Sequence, residues 1–281
     1  MTAFVLAGGG SLGAVQVGML RALTNFGLAP DFVVGSSVGA INAAYFAGHP
    51  TSAGVAQLET IWRKLRRREV FPVTVLSGAL GLVGWRSHLV DPAPLARLLA
   101  RHLPFQRLEL ARVPCHIVAT DVLSGLEVRL SRGDVVPILL ASTAIPALFP
   151  AVTWDGQYLM DGGVANHTPI STAVALGATR VVVLPTGFPC AIERPPRGPI
   201  AMALHALNML IARQLALDIE RFSAVAQVIV VPPLCPLKTS SYDFSQGGAL
   251  IDRAAGATRE WLGAGGLSST GIPGALRAHH H

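Results

Sequence analysis

The chain has 281 residues, of which 51% are apolar and only 14% charged, and its formal net charge is +6. No run approaches the ~20 apolar residues of a membrane-spanning helix, and no basic region precedes the apolar start, so we expect neither a span nor a signal peptide. The three cysteines are scattered without a C-x-x-C pair, which argues against a disulfide framework or a zinc site and favours a reducing, cytoplasmic location.

Strand and helix patterns alternate along the chain. Short apolar or β-branched runs predict strands at 2–7, 31–34, 115–120, 127–130, 180–184 and 228–231. Helical patterns lie between and after them, at 14–23, 40–46, 51–67, 94–102, 135–142, 169–176, 199–224 and 250–261. This alternation predicts an α/β fold, a three-layer sandwich in which helices cover both faces of a mostly parallel central sheet. We expect one domain over residues 1–276, followed by a tail at 277–281 that looks like the remnant of a histidine tag.

A glycine-rich turn follows the first predicted strand. Gly8, Gly10 and Gly13 match G-x-G-x-x-G between a strand and a helix, which is the pattern of a dinucleotide-binding turn. That function needs an acidic residue at the end of the second strand, but the chain has Gly35-Ser36-Ser37 there, and Asp31 lies at the beginning of that strand. We therefore predict no dinucleotide cofactor. The glycines instead expose backbone N–H groups, which suits an anion or an oxyanion.

The second glycine turn is Gly35-Ser36-Ser37-Val38-Gly39, a G-x-S-x-G pattern between a strand and a helix. In that setting the pattern is typical of a nucleophile elbow. Gly35 and Gly39 permit the sharp turn, which places the Ser37 hydroxyl at the helix N-terminus and leaves Ser36 as a spacer. Because both glycine turns follow strands of a parallel sheet, we expect them at the same edge of that sheet.

A serine nucleophile needs a base, and the candidate bases for Ser37 lie later in the chain. Asp161-Gly162-Gly163 ends an apolar stretch, and such a sequence is by itself usually only a turn. His167 and His205 both follow Asp161, which is the chain order of a Ser-Asp-His triad. The elbow, however, lies on the second strand, earlier than in an α/β-hydrolase. We therefore predict a dyad in which Asp161 contacts the Ser37 hydroxyl directly, and a surface or structural role for His167.

These three motifs, in this order, resemble the patatin-like phospholipase family of lipid acyl hydrolases. The resemblance extends to Val118-Ala119-Thr120-Asp121, to the run from Ala141 to Pro150, and to Asn166-His167-Thr168-Pro169. It implies a Ser37–Asp161 dyad and an oxyanion hole in the first glycine loop. The remaining site residues are the oxyanion loop Gly8, Gly9, Gly10 and Ser11 and the motif glycines Gly13, Gly35, Gly39, Gly162 and Gly163. Many members carry Arg or Lys where this chain has Leu12, so no role of that cation is carried over.

The expected function is that of a serine lipid acyl hydrolase, of the phospholipase A or lysophospholipase type, with an acyl lipid as substrate. Two alternatives stay open: an acyltransferase on the same fold, and a non-catalytic module that binds acyl lipids. No cluster of metal ligands is apparent in the sequence, so we predict no metal cofactor. The sequence does not indicate an oligomeric state.

One basic cluster, Arg63-Lys64-Leu65-Arg66-Arg67-Arg68, precedes an apolar, glycine-punctuated segment at 70–90. The cluster is interpreted either as a solvated helix end or as a patch that contacts anionic membrane lipids. The segment is interpreted either as a loop packed on the core or as a cap that admits acyl chains. No recognition motif accompanies the charge, so we predict no nucleic-acid partner.

Overall fold

The computed structural model describes residues 1–71, 88–187, 195, 198–269 and 271–276. Most of the predicted cap at 70–90 therefore lies outside the described residues, as does the tail at 277–281. No described helix is long and apolar enough to cross a membrane.

A single sheet contains the eight strands of the described residues: β1 (Thr2–Leu6), β2 (Phe32–Ser36), β3 (Cys115–Asp121), β4 (Glu127–Leu130), β5 (Val152–Trp154), β6 (Gln157–Asp161), β7 (Arg180–Leu184) and β8 (Gln227–Val230). The strands β3, β2, β1, β7 and β8 lie side by side in that order and are parallel. The strands β4 and β6 each form an antiparallel pair with β3, and β5 forms an antiparallel pair with β6. The predicted mostly parallel sheet is thereby confirmed.

The helices are α1 (Gly13–Asn25), α2 (Val38–Gly48), α3 (Ser52–Lys64), α4 (Arg67–Val70), α5 (Ala93–His102), α6 (Val135–Ser142), α7 (Gly163–Asn166), α8 (Ile170–Ala175), α9 (Pro199–Phe222) and α10 (Gly247–Gly263). Short 3-10 turns lie at Gly10–Leu12, Leu108–Leu110, Phe244–Gln246, Gly266–Ser268 and Gly274–Leu276.

Helices cover both faces of the sheet and so create two cores. Alternate residues of β1 point to opposite faces: Phe4 and Leu6 enter one core, and Ala3 and Val5 enter the other. The larger core contains buried residues of α1, α2, α3 and α10, whereas the smaller core contains residues of α8 and α9. A strand that is buried on both faces reads as a continuous apolar run, and this is why β1 and β7 were recognisable from the sequence.

The pairing of β3 brings the ends of β2 and β6 together. Along one edge, β4 pairs with β3 from Ile117 to Thr120. Because a strand has only two edges, β2 and β6 must share the other one. There β2 ends with Ser36 opposite Val118, and β6, which runs the opposite way, ends with Asp161 opposite Ala119. The first residue after β2 therefore meets the last residue of β6.

Two parts of the fold differ from the sequence-based expectation. The strands β5 and β6 were not predicted, and Asp161 is the last residue of a strand instead of a residue on a flexible turn. The helix predicted at 51–67 ends at Lys64, because Leu65 adopts an extended backbone and turns its side chain into the larger core. The chain then resumes as the short helix α4.

Candidate active site

Ser37 lies in the sharp turn between β2 and α2. Its φ of 54° and ψ of −128° fall in a region that residues other than glycine rarely occupy. The Ser142 hydroxyl fixes this backbone, because it accepts a hydrogen bond from the Ser37 N–H (3.0 Å) and donates one to the carbonyl of Val118 (2.6 Å). The geometry is that of the predicted elbow, and Ser37 is 7% exposed.

The strained backbone of Ser37 predicts how replacements at this position change the free energy of unfolding. Replacing Ser37 with Gly should give a more stable protein than replacing it with Ala, by about 1 kcal/mol in the free energy of unfolding, because only glycine adopts this φ and ψ without a Cβ clash. Urea unfolding of the two variants measures the difference. Equal stabilities, or a more stable alanine variant, would show that the turn is not strained.

Asp161 meets Ser37 at the junction of β2 and β6. The Ser37 hydroxyl donates a 2.7 Å hydrogen bond to Oδ2 of Asp161, and the Gly163 N–H donates a 2.7 Å bond to Oδ1. The Asp161 backbone is held as well, since its carbonyl accepts a bond from the Thr120 hydroxyl (2.8 Å). Burial raises the pKa of Asp161 to about 6, against the opposing effect of the bonds from Ser37 and Gly163. A carboxylate of this kind is a better proton acceptor near neutral pH than an ordinary aspartate.

His167, for which a surface or structural role was predicted, lies near the two residues, yet it bonds to neither. Its ring packs against the backbone of Gly8 and Gly163, where an added Cβ would come within 2.6 Å and 2.9 Å of ring atoms. Desolvation lowers the pKa of His167 to about 4, so its ring is neutral at pH 7. In the described part of the chain, neither Ser37 Oγ nor the Asp161 carboxylate bonds to any histidine. The side chain of His205 lies outside the described residues.

The first glycine loop runs beside Ser37, and two of its four N–H groups are already engaged. The Gly8 N–H donates to the carbonyl of His167 (3.0 Å), and the Ser11 N–H donates to the carbonyl of Ser241 (2.8 Å). For the N–H groups of Gly9 and Gly10 no acceptor is present among the described residues. Both glycines have positive φ, and a side chain on either would collide with Thr186 or with Ser241. The loop therefore needs glycine at these positions and presents two unpaired donors.

An apolar cavity opens beside Ser37 and Gly10. Along α2 it is lined by Val38, Ile41 and Tyr45, so it extends from Ser37 for about 12 Å at the helical rise of 1.5 Å per residue. Side chains of α3, α5 and the aromatic residues around them complete the wall; they include Leu58, Trp62, Phe71, Leu95, Leu99, Phe149 and Phe244. An elongated apolar cavity that ends at a serine hydroxyl suits a hydrocarbon chain.

Four supporting residues were not assigned a role from the sequence. Ser142 and Thr120 hold the backbones of Ser37 and Asp161, whereas Thr186 and Ser241 pack against the glycine loop. Thr186 also donates a 2.6 Å bond to the carbonyl of Gly8. Ser142 and Thr120 belong to segments that carried the family resemblance, and that was the only signal for them in the sequence. No group of three described His, Cys, Asp or Glu side chains is arranged to hold a metal ion.

The fold and the site together define a three-layer α/β protein with a serine elbow and a buried aspartate partner. A model of the patatin-like phospholipase family matches residues 4–174, which is more than half of the chain, and the chain belongs to that family. This confirms the resemblance found in the sequence.

Curated relatives are similar over the same region. Patatin-like phospholipase domain-containing protein 6 of Homo sapiens is 27% identical over 187 residues, and neuropathy target esterase sws of Drosophila melanogaster is 23% identical over 185 residues. These matches cover 66% and 65% of this chain but only 13% of each relative, so the chain spans a small part of their length. Among solved structures, human GIVD cytosolic phospholipase A2, determined with methyl gamma-linolenyl fluorophosphonate, is 12% identical with a TM-score of 0.48. That alignment covers 98% of this chain and 59% of the other.

Proposed function

We propose that the protein is a serine lipid acyl hydrolase in which Ser37 is the nucleophile and Asp161 is the base. The observation that carries the proposal is the 2.7 Å hydrogen bond from Ser37 Oγ to the buried Asp161 carboxylate, at the mouth of an apolar cavity. Membership of the patatin-like phospholipase family supports an acyl lipid as the substrate.

This geometry supports a two-step reaction through an acyl-enzyme. As Ser37 Oγ attacks the ester carbonyl, its proton passes along the existing hydrogen bond to Asp161 Oδ2. The protonated aspartate then gives that proton to the leaving alcohol, and an acyl-enzyme remains. A water molecule next attacks the acyl-enzyme, gives its proton to Asp161 and releases the fatty acid; the proton returns to Ser37.

The negative charge that forms on the carbonyl oxygen needs donors that are not already bonded. Of the four residues predicted for the oxyanion hole, Gly9 and Gly10 are the better candidates, because the N–H groups of Gly8 and Ser11 have acceptors within the protein. We assign the oxyanion contacts to Gly9 and Gly10. Loss of one such donor typically lowers kcat by about 10²-fold to 10³-fold.

The raised pKa of Asp161 predicts the pH dependence of hydrolysis. Only the ionised carboxylate accepts a proton, so kcat/KM for a soluble short-chain p-nitrophenyl ester should fall as the pH drops through about 6. The His167→Ala variant should keep this midpoint even where its rate is lower, because the ring does not bond to the dyad. A midpoint that moves by a full pH unit or disappears in that variant would identify His167 as the titrating group.

Hydrolysis and acyl transfer are separated by their products. With an added acceptor alcohol such as glycerol, a hydrolase still forms free fatty acid as its main product, whereas a transferase forms the new ester. A non-catalytic lipid-binding module would release no p-nitrophenol above the buffer rate.

Contact with an anionic membrane is proposed from the basic cluster alone. Arg63 is neutralised by ion pairs with Glu59 and Asp252, whereas Arg66, Arg67 and Arg68 are exposed and form no ion pair among the described residues. Replacing these three arginines with Gln should weaken sedimentation with anionic vesicles, as should added salt, because exposed charges are screened. Binding that is insensitive both to salt and to these replacements would remove the cluster from membrane contact.

A further inference from the structure

A second cavity lies beside the candidate active site. It has a volume of about 430 Å³ and is lined by Arg66, Arg67, Ser240, Tyr242, Asp243, Phe244 and Ser245. Phe244 also lines the apolar cavity, so the two cavities share one aromatic wall residue. The wall of the second cavity combines two guanidinium groups with hydroxyl groups, a combination that typically binds phosphate.

The positive charge of this cavity is not cancelled by the protein. In the described part of the chain, no carboxylate forms an ion pair with Arg66 or Arg67, in contrast to Arg63 in the same cluster. Asp243 is the one carboxylate in the wall, and its Oδ1 accepts bonds from the N–H and the hydroxyl of Ser245. Two arginines against one aspartate leave a net positive wall.

The segment 240–245, which forms part of the cavity wall, is hydrogen-bonded to the oxyanion loop. The carbonyl of Ser240 accepts a bond from the Ser11 hydroxyl (3.1 Å), and the carbonyl of Ser241 accepts one from the Ser11 N–H (2.8 Å). Tyr242 in this segment packs against Phe71, a wall residue of the apolar cavity, with 5.8 Å between ring centroids. Burial raises the pKa of Tyr242 to about 12, and the negative charge of Asp161 adds to this shift. A molecule bound at Ser37 therefore has the arginine-lined cavity within reach of its polar end.

We propose that Arg66 and Arg67 form a subsite for the phosphate group of a glycerophospholipid whose acyl chain occupies the apolar cavity. This assignment rests on the proposed function. Leu12, within the first glycine turn, is a fully buried core residue and supplies no charge there. The positive charge beside the loop is supplied from α4 and the residue before it instead.

The test uses two double variants with the same charge change. The Arg66→Gln/Arg67→Gln variant removes both cavity arginines, whereas the control, Lys64→Gln/Arg68→Gln, removes two exposed charges of the same cluster that do not line the cavity. The substrates are dihexanoylphosphatidylglycerol below its micelle concentration and dihexanoylglycerol, which has the same acyl chains and no phosphate. Monomeric substrates exclude effects of a bilayer surface.

The ratio of kcat/KM for the phospholipid to kcat/KM for the diacylglycerol should fall at least about tenfold in the cavity variant, mainly through KM, because hydrogen bonds to a charged group are lost. The control variant should keep the wild-type ratio. Equal losses in both variants would assign the effect to diffuse surface charge, and a cavity variant with an unchanged ratio would remove the subsite. Either result overturns the proposal.

A binding measurement tests the subsite independently of hydrolysis. Calorimetry follows the binding of the non-hydrolysable diether analogue of the same phospholipid to the Ser37→Ala protein, with and without the cavity replacements. Weaker binding only when Arg66 and Arg67 are replaced supports the subsite, and equal binding contradicts it. If the wild-type protein hydrolyses neither substrate, the proposed function fails, and this second measurement still decides on the subsite.

Discussion

Replacing Asp161 with Asn is expected to lower kcat for a soluble ester by about 10²-fold to 10⁴-fold, the contribution of a positioned general base. Asparagine keeps the shape of the side chain, and its oxygen still accepts the bond from the Gly163 N–H, but it cannot take the proton from Ser37. Initial rates at saturating ester measure the loss. Activity within a few-fold of the wild type would show that Asp161 is not the base.

Asp121 offers a matched control for this change. It is an aspartate at the end of β3, only 8% exposed, and its carboxylate accepts bonds from the N–H and the hydroxyl of Ser124 instead of from Ser37. The Asp121→Asn variant should therefore retain most of the wild-type activity. A loss as large as that of Asp161→Asn would show that the effect reflects the structure of this sheet edge.

Stability should respond to Asp161→Asn in the opposite direction from activity. Folding raises the pKa of Asp161 from its usual 3.8 to about 6, so the folded state binds more protons than the unfolded state between these pH values. Its contribution to the free energy of unfolding therefore declines as the pH rises from about 4 to about 6 and stays unfavourable at pH 7. Asparagine removes this penalty, so thermal unfolding at pH 7 should occur at or above the wild-type temperature. An inactive variant that is also unfolded would not fit this account.

Replacing Ser37 with Ala is expected to abolish turnover, with a loss of about 10⁴-fold or more, because no covalent intermediate can form. The neighbouring Ser36 is the control within the same turn. Its hydroxyl is fully buried and has no hydrogen-bond partner among the described residues, so Ser36→Ala should leave activity intact and stability unchanged or slightly higher. A dead Ser36→Ala protein beside an active Ser37→Ala protein would reverse the assignment.

The strand–turn–helix parts of the site were predictable because their signals are local. Both glycine turns follow strands that are buried on both faces, and the conformation of Ser37 follows from the glycines around it. The contact with Asp161 is not local, since 124 residues separate the two side chains. It was predicted from the combination of the three motifs and from the family that they resemble. That Asp161 ends a strand was missed, since β6 is short and alternates exposed with buried residues weakly.

The partners of the glycine loop could not be predicted. The sequence shows that the loop exposes backbone N–H groups, but it does not show which of them the protein itself satisfies. The segment that engages Ser11 comes 229 residues later in the chain, and its polar composition indicates only a loop. The arginine-lined cavity could not be predicted for the same reason, because α4 and residues 240–245 meet only in the folded protein. Non-local packing therefore decided both which oxyanion donors are unpaired and where the basic cluster lies.

Fluorophosphonate labelling tests whether Ser37 is a nucleophile activated by Asp161. The probe forms a covalent bond with an activated serine, and intact mass followed by peptide mapping locates the adduct. We expect one adduct per chain, on Ser37, that forms at the wild-type rate in Asp121→Asn and at least about 10²-fold more slowly in Asp161→Asn. An adduct on another residue, or labelling of Ser37 at an unchanged rate in Asp161→Asn, would contradict it.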